Sequence, residues 1–295
     1  MPPTLDDHIW RKASLLTKLY LLILKIPFLR RGLARKVYED FSQENLYVKC
    51  VGLESDRNPD AERKTSIYPV IIDKPDFAKI RQACKAKQVS VYSAIQTAAS
   101  QAICEMIVQE AIKRRIPVEE LTKVFVAAAA AVNRDDIIRN NKSFVCTMVY
   151  LIPHMIDVTA SCDSDTFWQR AQVAHANIRS NMAACQLDLL YLLAITQGCV
   201  KPLFNTRLPT LIEVTNLGNC NYLNRERAAG LKITAHFSSA AEHRAGPIFT
   251  NSTTAIDDKL CWSVGYFHNV TTKETAVRYL HRSVEILLEN CKKIA

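Results

Sequence analysis

Histidine is the first side chain to search for in this sequence, because a neutral imidazole can take a proton from a hydroxyl group near pH 7. The chain has seven histidines, and no two of them are adjacent. His236 is of interest because it lies on the polar face of an alternating segment. A solvated or hydrogen-bonded histidine accounts for that position better than a catalytic base does.

Other common site chemistries have no sequence pattern here. The seven glycines are too widely separated to form a GxGxxG motif, a Walker loop or a GxSxG elbow, and the chain has no HExxH motif. The ten cysteines are scattered singly from Cys50 to Cys291 without a CxxC pair. This pattern favours reduced, buried thiols in a cytoplasmic protein over a disulfide framework, and we predict no metal site.

The net charge of +9 is concentrated in one stretch. Eight basic residues and no acidic residue lie between His8 and Tyr38, and the other 30 basic residues nearly balance the 29 acidic ones. A duplex-binding domain would carry its positive charge on a folded face, so we predict no nucleic-acid partner. The apolar run 19–29 is shorter than the roughly 18 residues that span a bilayer. Residues 8–38 therefore form either a linker helix over the core or a peripheral membrane contact.

The N-terminal part predicts a helical linker followed by a folded unit. Residues 5–40 have a helical pattern, broken near Pro27, and the polar stretch 52–64 reads as a loop. Residues 66–73 predict a strand, after which Pro75 opens a helix as a first-turn proline. We place the boundary there: 1–64 is a helical linker and 65–295 is a single lobe. Without a signal peptide at Met1, we expect a cytoplasmic location.

The middle of the lobe alternates helices and strands. Ser90 caps a long helix with an alanine-rich apolar stripe that lets it approach a sheet closely. The stretch 124–132 is ambiguous, since five alanines favour a helix and the flanking β-branched and aromatic residues favour a buried strand. We then expect the following elements: a strand at 144–153, helices at 164–183 and 187–200, and a strand at 210–215.

The clearest strand pattern lies near the C-terminus. Apolar and polar residues alternate through 231–238 and 260–266, and a tight Asp257-Asp258 turn joins the second of these to a strand at 248–256. We expect an antiparallel meander with one face buried. A capping box from Thr271 to Glu274 begins a final amphipathic helix. The fold class predicted is α/β, a two-layer sandwich in which helices cover one face of a mixed, largely antiparallel sheet, with linker helices at the N-terminus.

Several segments, taken in order, resemble the superfamily of chloramphenicol acetyltransferase, peptide-synthetase condensation domains, alcohol acetyltransferases and wax-ester or polyketide-associated acyltransferases. The opening MPPTLDDHIWRKASLLTKLYLLIL is similar to the passage after the catalytic region in alcohol and wax-ester members. VSVYSAIQTAASQAI and AAVNRD resemble a family helix and the strand end that follows it. IEVTNLGNC resembles the family's V-S-N-L-G strand, and TNSTTAIDDKLCWSVGYFHNVTTKETAVRYL resembles its closing hairpin and helix.

The resemblance implies two similar lobes with a channel between them and transfer of an acyl group from coenzyme A or a carrier arm to a hydroxyl or amine. Acyl-CoA is then a co-substrate, and no cofactor is bound. The family's base is the second histidine of HHxxxDG in the first lobe. No histidine here has an adjacent histidine or an aspartate four positions later. We therefore predict no catalytic residue in this chain and interpret it as the linker and second lobe.

The resemblance also gives substrate-channel candidates. Asn216 and Gly218 lie where the V-S-N-L-G strand would approach the channel, although a simple strand-ending turn explains them too. Asn133 and Arg134 end another strand, where Arg134 is either a structural ion-pair former or a contact to an acidic substrate group.

Besides a basic membrane-surface protein that binds through residues 8–38, two functions remain open from the sequence. The first is an O-acyltransferase lobe that is inactive alone. The second is a non-catalytic binding or assembly module that forms a homodimer or pairs with a separate first lobe, because a lobe that faces another exposes an apolar surface.

Overall fold

A computed structural model describes residues 26, 45–51, 64–117, 121, 123–131, 149–158, 162–196, 210–224, 232–239 and 247–294, without the side chains of 123–131, 149–155 and 181–196. The linker predicted at 5–40, most of the loop 52–64, Asn133 and Arg134 lie outside the described residues. The domain boundary near residue 64 stays a prediction. None of the described helices combines the length and the apolar character that a membrane span requires.

The six described strands form one mixed sheet. They are β1 (Thr65–Ile72), β2 (Lys123–Ala131), β3 (Val149–Asp157), β4 (Thr210–Asn219), β5 (Phe249–Ile256) and β6 (Lys259–Phe267). Their order is β1-β6-β5-β4-β2-β3. Strand β4 is parallel to both β2 and β5, and the other three pairs are antiparallel. The fold class predicted from the sequence is confirmed, and the ambiguous alanine-rich stretch is a strand.

Five helices are described: α1 (Leu46–Cys50), α2 (Lys74–Ala86), α3 (Val91–Lys113), α4 (Ser164–Thr196) and α5 (Lys273–Lys292). Local chemistry fixes where they begin. Asp73 precedes Pro75 and caps α2, because its side chain accepts from the Asp76 N–H. Ser90 caps α3 in the same way, since its side chain accepts from the Ser93 N–H at 3.0 Å. Both starts follow the sequence-based expectation.

Helix α3 is the centre of the core. It packs against α4, α5, β2 and β4 and is buried on nearly all sides. Two of its buried polar residues have charged partners: Gln101 accepts from Arg170 at 2.7 Å, and Glu105 accepts from the Nε of Arg282 at 2.7 Å. The sequence predicted one buried apolar stripe, but neighbouring helices also cover the opposite side of this helix.

Three expectations were wrong. The helices predicted at 164–183 and 187–200 form the single helix α4, at least as far as Thr196. The last helix is capped by Thr272, one residue after the predicted Thr271, whose hydroxyl instead lies 2.6 Å from the Tyr47 hydroxyl. Residues 232–239 pair with no strand among the described residues.

The segment 232–239 instead covers the face of β5 and β6 that points away from the helices. Its residues Ile233, Ala235 and Phe237 pack on Cys220, Ile256 and Cys261. The alternation of apolar and polar residues predicted from the sequence therefore places side chains against the sheet, but the segment does not pair as a strand. Because of this cover, β6 is buried on both faces, whereas the sequence suggested one buried face. The Asp257-Asp258 turn before β6 has positive φ at both residues, as a two-residue hairpin requires.

Candidate substrate cleft

The cleft that contains the predicted residues lies at the carboxyl end of β4. Its volume is about 200 Å³. Asn216 and Gly218 line it together. Their assignment to a substrate channel stays a prediction. Sequence reasoning missed the remaining lining residues, which are Phe77, Arg81, Val91, Asn219, Asn221, Ala255, Asp258 and Leu260.

The end of β4 turns sharply because its side chains bind its own backbone. The Oδ1 of Asn216 accepts from the Gly218 N–H at 2.9 Å, and Gly218 has a φ of +72°. A side chain at Gly218 would meet open space, so the glycine is required by its left-handed backbone and not by crowding. The Oδ1 of Asn219 accepts from the Asn221 N–H at 2.9 Å. The strand-ending turn and the cleft wall are thus the same residues.

Two further elements complete the cleft. Helix α2 contributes Phe77 and Arg81, with the guanidinium 5.1 Å from the centre of the Phe77 ring. The β5–β6 turn contributes Asp258, and the Oδ1 of Asn221 accepts from the Asp257 N–H at 2.7 Å, which ties the turn to the end of β4. Residues that are distant in the sequence meet here because α2 packs beside β6, and β5 lies between β6 and β4 in the sheet.

A cationic cluster surrounds the neighbouring Asp257. Lys232 bonds directly to its carboxylate, and the Nζ atoms of Lys74 and Lys259 lie 3.4 and 3.9 Å from it. The hydrogen bond from Lys232 is the largest cause that lowers the pKa of Asp257 below its usual range. Three ammonium groups share one carboxylate beside the cleft, although neither Asp257 nor the three lysines are among the lining residues.

Behind the cleft, burial raises the pKa of one group on β4 and of one group on α3 that contacts this strand. Burial raises the pKa of Glu213, although a hydrogen bond from Thr215 opposes the shift. Burial also raises the pKa of Tyr92, whose hydroxyl donates to the Val214 carbonyl at 2.7 Å. This hydrogen bond links α3 to β4 two residues before Asn216, the first residue of β4 that lines the cleft.

None of the four histidines whose side chains are described lines this cleft. The Nδ1 of His236 lies 3.2 Å from the Thr254 hydroxyl, as a hydrogen-bonded structural histidine would. His268 and His281 contact the hydroxyls of Ser66 and Tyr68, and the Nδ1 of His175 accepts from the Ser90 N–H. Within the described ranges, no three His, Cys, Asp or Glu side chains are grouped as metal ligands would be.

Solved structures give the fold a precedent. The cyclization-docking bidomain of the EpoB peptide synthetase from Sorangium cellulosum matches 96% of this chain and 50% of its own, with a TM-score of 0.59 and 11% identity. The TRI3 trichothecene 15-O-acetyltransferase from Fusarium sporotrichioides matches 78% of this chain and 47% of its own, with a TM-score of 0.52 and 14% identity. The chain has a condensation-domain, chloramphenicol-acetyltransferase-like fold. The epimerization domain of tyrocidine synthetase B agrees, with a TM-score of 0.50 and 17% identity over 79% of this chain and 50% of its own.

The condensation-type likeness extends over about half the length of those structures. At 11–17% identity it shows the fold alone. No protein-family model and no curated protein sequence matches the chain.

Proposed function

We propose that this chain is the second lobe of an acyltransferase and forms one wall of the path along which an acyl group moves from a thioester, such as acyl-CoA or a carrier arm, to a hydroxyl or amine. One observation carries the proposal: a condensation-type fold matched over 96% of the chain, with a cleft at the strand end where the resemblance places the channel. Asn216 and Gly218 shape that wall.

The proton acceptor, on this proposal, comes from a first lobe with an HHxxxDG motif. The lining residues that can carry charge are Arg81 and Asp258, and neither replaces a neutral imidazole beside a hydroxyl. Positioned general-base catalysis contributes about 10²–10⁴-fold to a rate. The polypeptide 1–295 alone therefore binds an acyl thioester without transferring its acyl group.

The experiment measures thiol release and ester formation by purified 1–295 with acyl-CoA and long-chain alcohols. An intact acyltransferase assayed in parallel provides the positive control. Saturable binding of a non-hydrolysable acyl-thioester analogue, with no turnover, is the expected result. Turnover that is lost in a His236→Gln variant would show that this chain has its own base, and failure to bind the analogue would remove the thioester assignment.

A second candidate function, a non-catalytic assembly module, is favoured by the outer face of β1. This strand forms one edge of the described sheet, and its side chains Ile67 and Ile71 are 43% and 48% exposed. An exposed apolar pair on an edge strand is a surface for a second chain. Light scattering should then show a dimer for 1–295 and a monomer for an Ile67→Lys, Ile71→Lys double variant. A monomeric parent protein would exclude this function.

A further inference from the structure

We infer that the cleft at the end of β4 binds an oxyanion, a phosphate or carboxylate group joined to a short apolar chain. The inference rests on the proposed function for the role of the cleft, but its chemistry comes from the orientation of three side-chain amides. It assigns the cleft a class of ligand that neither the fold nor the sequence pattern specifies.

The amides of Asn216, Asn219 and Asn221 are oriented by the backbone. Each Oδ1 accepts from a main-chain N–H: Asn216 from Gly218 at 2.9 Å, Asn219 from Asn221 at 2.9 Å and Asn221 from Asp257 at 2.7 Å. A backbone N–H can only donate, so the amide oxygen must be the atom that faces it. The opposite side of each amide is then an NH₂ group.

Among the described residues, these NH₂ groups have no acceptor. No hydrogen bond joins any of them to a residue in the described part of the chain, and all three asparagines line the cleft. The guanidinium of Arg81 also lines it, and its described contact is the Phe77 ring. The cleft thus presents donors from four side chains. A ligand that suits them has several acceptor oxygens on one centre, and a negative charge strengthens each hydrogen bond.

The rest of the lining defines the size and the apolar part of the ligand. Phe77, Val91 and Leu260 provide apolar contacts. A volume of about 200 Å³ is below the roughly 300–1,000 Å³ of sites for drug-sized ligands, so the cleft suits a small head group with a short chain. Asp258 is the one carboxylate in the lining, and it opposes the anion. Arg81 carries the opposite charge in the same lining.

The test follows the side-chain NH₂ resonances of the whole protein by NMR while one of three probes is added. The probes are butyl phosphate, pentanoate and pentanol, which share a short alkyl chain and differ in the head group. We expect both anions to shift the three asparagine NH₂ signals saturably and pentanol to leave them unchanged. The tighter anion identifies the head group as phosphate or carboxylate. Equal binding of pentanol, or no saturable shift with either anion, would overturn the inference.

An isosteric substitution tests the role of the NH₂ donor without removing the hydrogen bond that holds the turn. In Asn219→Asp, an oxygen still accepts from the Asn221 N–H, and the NH₂ donor is replaced by a second oxygen. Binding of the tighter anion should weaken about tenfold or more, equivalent to about 1.4 kcal/mol. The matched control, Asn177→Asp, adds the same charge on α4 outside the cleft lining and should leave the affinity within about twofold of the parent. Equal losses in both variants would contradict a specific donor site.

Asp258→Asn supplies a change in the opposite direction. It removes the opposing charge from the lining, so the same anion should bind more tightly, and weaker binding would count against the inference.

The failures of the two proposals are distinguishable. If the cleft binds neither anion, only this inference is lost. If the purified chain turns over substrate, the proposal that it is a second lobe without its own base is lost, and anion binding is not affected.

Discussion

Two sites in this lobe use asparagine differently: Asn251 belongs to a closed network in the core, and Asn216, Asn219 and Asn221 form an open set at the cleft. Asn251 on β5 is fully buried. Its Oδ1 accepts from the Trp262 Nε1 at 3.1 Å, and its Nδ2 donates to the Tyr279 hydroxyl at 3.0 Å and to the Glu213 carbonyl at 3.2 Å. Asn216, Asn219 and Asn221 line the cleft and use their oxygens for the backbone, and their NH₂ groups form no hydrogen bond within the described part of the chain.

The comparison shows how a structural asparagine can be distinguished from one that is available to bind a ligand. A buried amide with every donor and acceptor used holds parts of the core together, and it has nothing left for a ligand. A half-used amide in a cleft keeps a donor whose direction is already fixed. Strand β4 joins the two sets, because Glu213 contributes its carbonyl to the closed network three residues before Asn216 begins the open one.

The strongest way to break this comparison is Asn251→Leu. The change leaves the Trp262 N–H, the Tyr279 hydroxyl and the Glu213 carbonyl without their amide partner, at about 1–3 kcal/mol for each buried group left unsatisfied. We expect the free energy of unfolding to fall by about 3 kcal/mol or more, measured by urea denaturation. Asn219→Leu, at the exposed cleft, should cost about 1 kcal/mol or less. Equal losses would show that the distinction between the two sets has no energetic meaning.

A smaller effect is expected at Gly218. Its φ of +72° lies in the left-handed region, and a methyl group there meets no atom within 4 Å. Gly218→Ala should therefore lower the free energy of unfolding by about 1 kcal/mol through backbone strain alone. A Gly218→Asn variant should lose less, because asparagine tolerates this conformation better than alanine does. Denaturation curves for the two variants measure the difference, and identical losses would point to a cause other than φ.

The smallest effect concerns Glu213, between the two sets. Burial raises its pKa, so the folded protein binds this proton more tightly than the unfolded chain does. Its stabilising contribution is present at low pH and is lost as the pH rises from the ordinary pKa of glutamate through the raised value. Relative to Glu213→Gln, the parent should thus lose stability across that window. Thermal melts at several pH values test the sign, and a parent that gains stability with rising pH would contradict it.

The sequence predicted most of the elements whose signals are local. Pro75, the cap at Ser90 and the Asp257-Asp258 turn each specify a start or a reversal within a few residues, and the structure has all three. The predictions failed where packing decides. The break predicted within 164–200 is not present before Thr196, and the alternating segment at 232–239 packs through its side chains without a ladder.

The cleft was only half predictable for the same reason. Asn216 and Gly218 belong to one motif and could be found together. Arg81 joins them only because α2 lies beside the β5–β6 turn, and no spacing along the chain encodes that meeting. Asn219 and Asn221 carry a weak signal, the close run of asparagines at 216–221, which a search for side-chain-to-backbone turns would notice. The candidates Asn133 and Arg134 fall outside the described residues and stay predictions.

The cover formed by 232–239 has a consequence for how the sheet opens. Side chains attach it: Asn224 holds both the N–H and the carbonyl of Ile233, and the Ser263 hydroxyl donates to the Ser238 carbonyl. A Cβ built at Gly265 would clash with the Ser239 hydroxyl, so a larger residue there would require the Ser239 side chain to move. Detachment would leave the ladders of β6 intact while water reached the Cys261 thiol. We therefore expect the segment 232–239 to open to solvent at a lower free energy than the sheet that it covers.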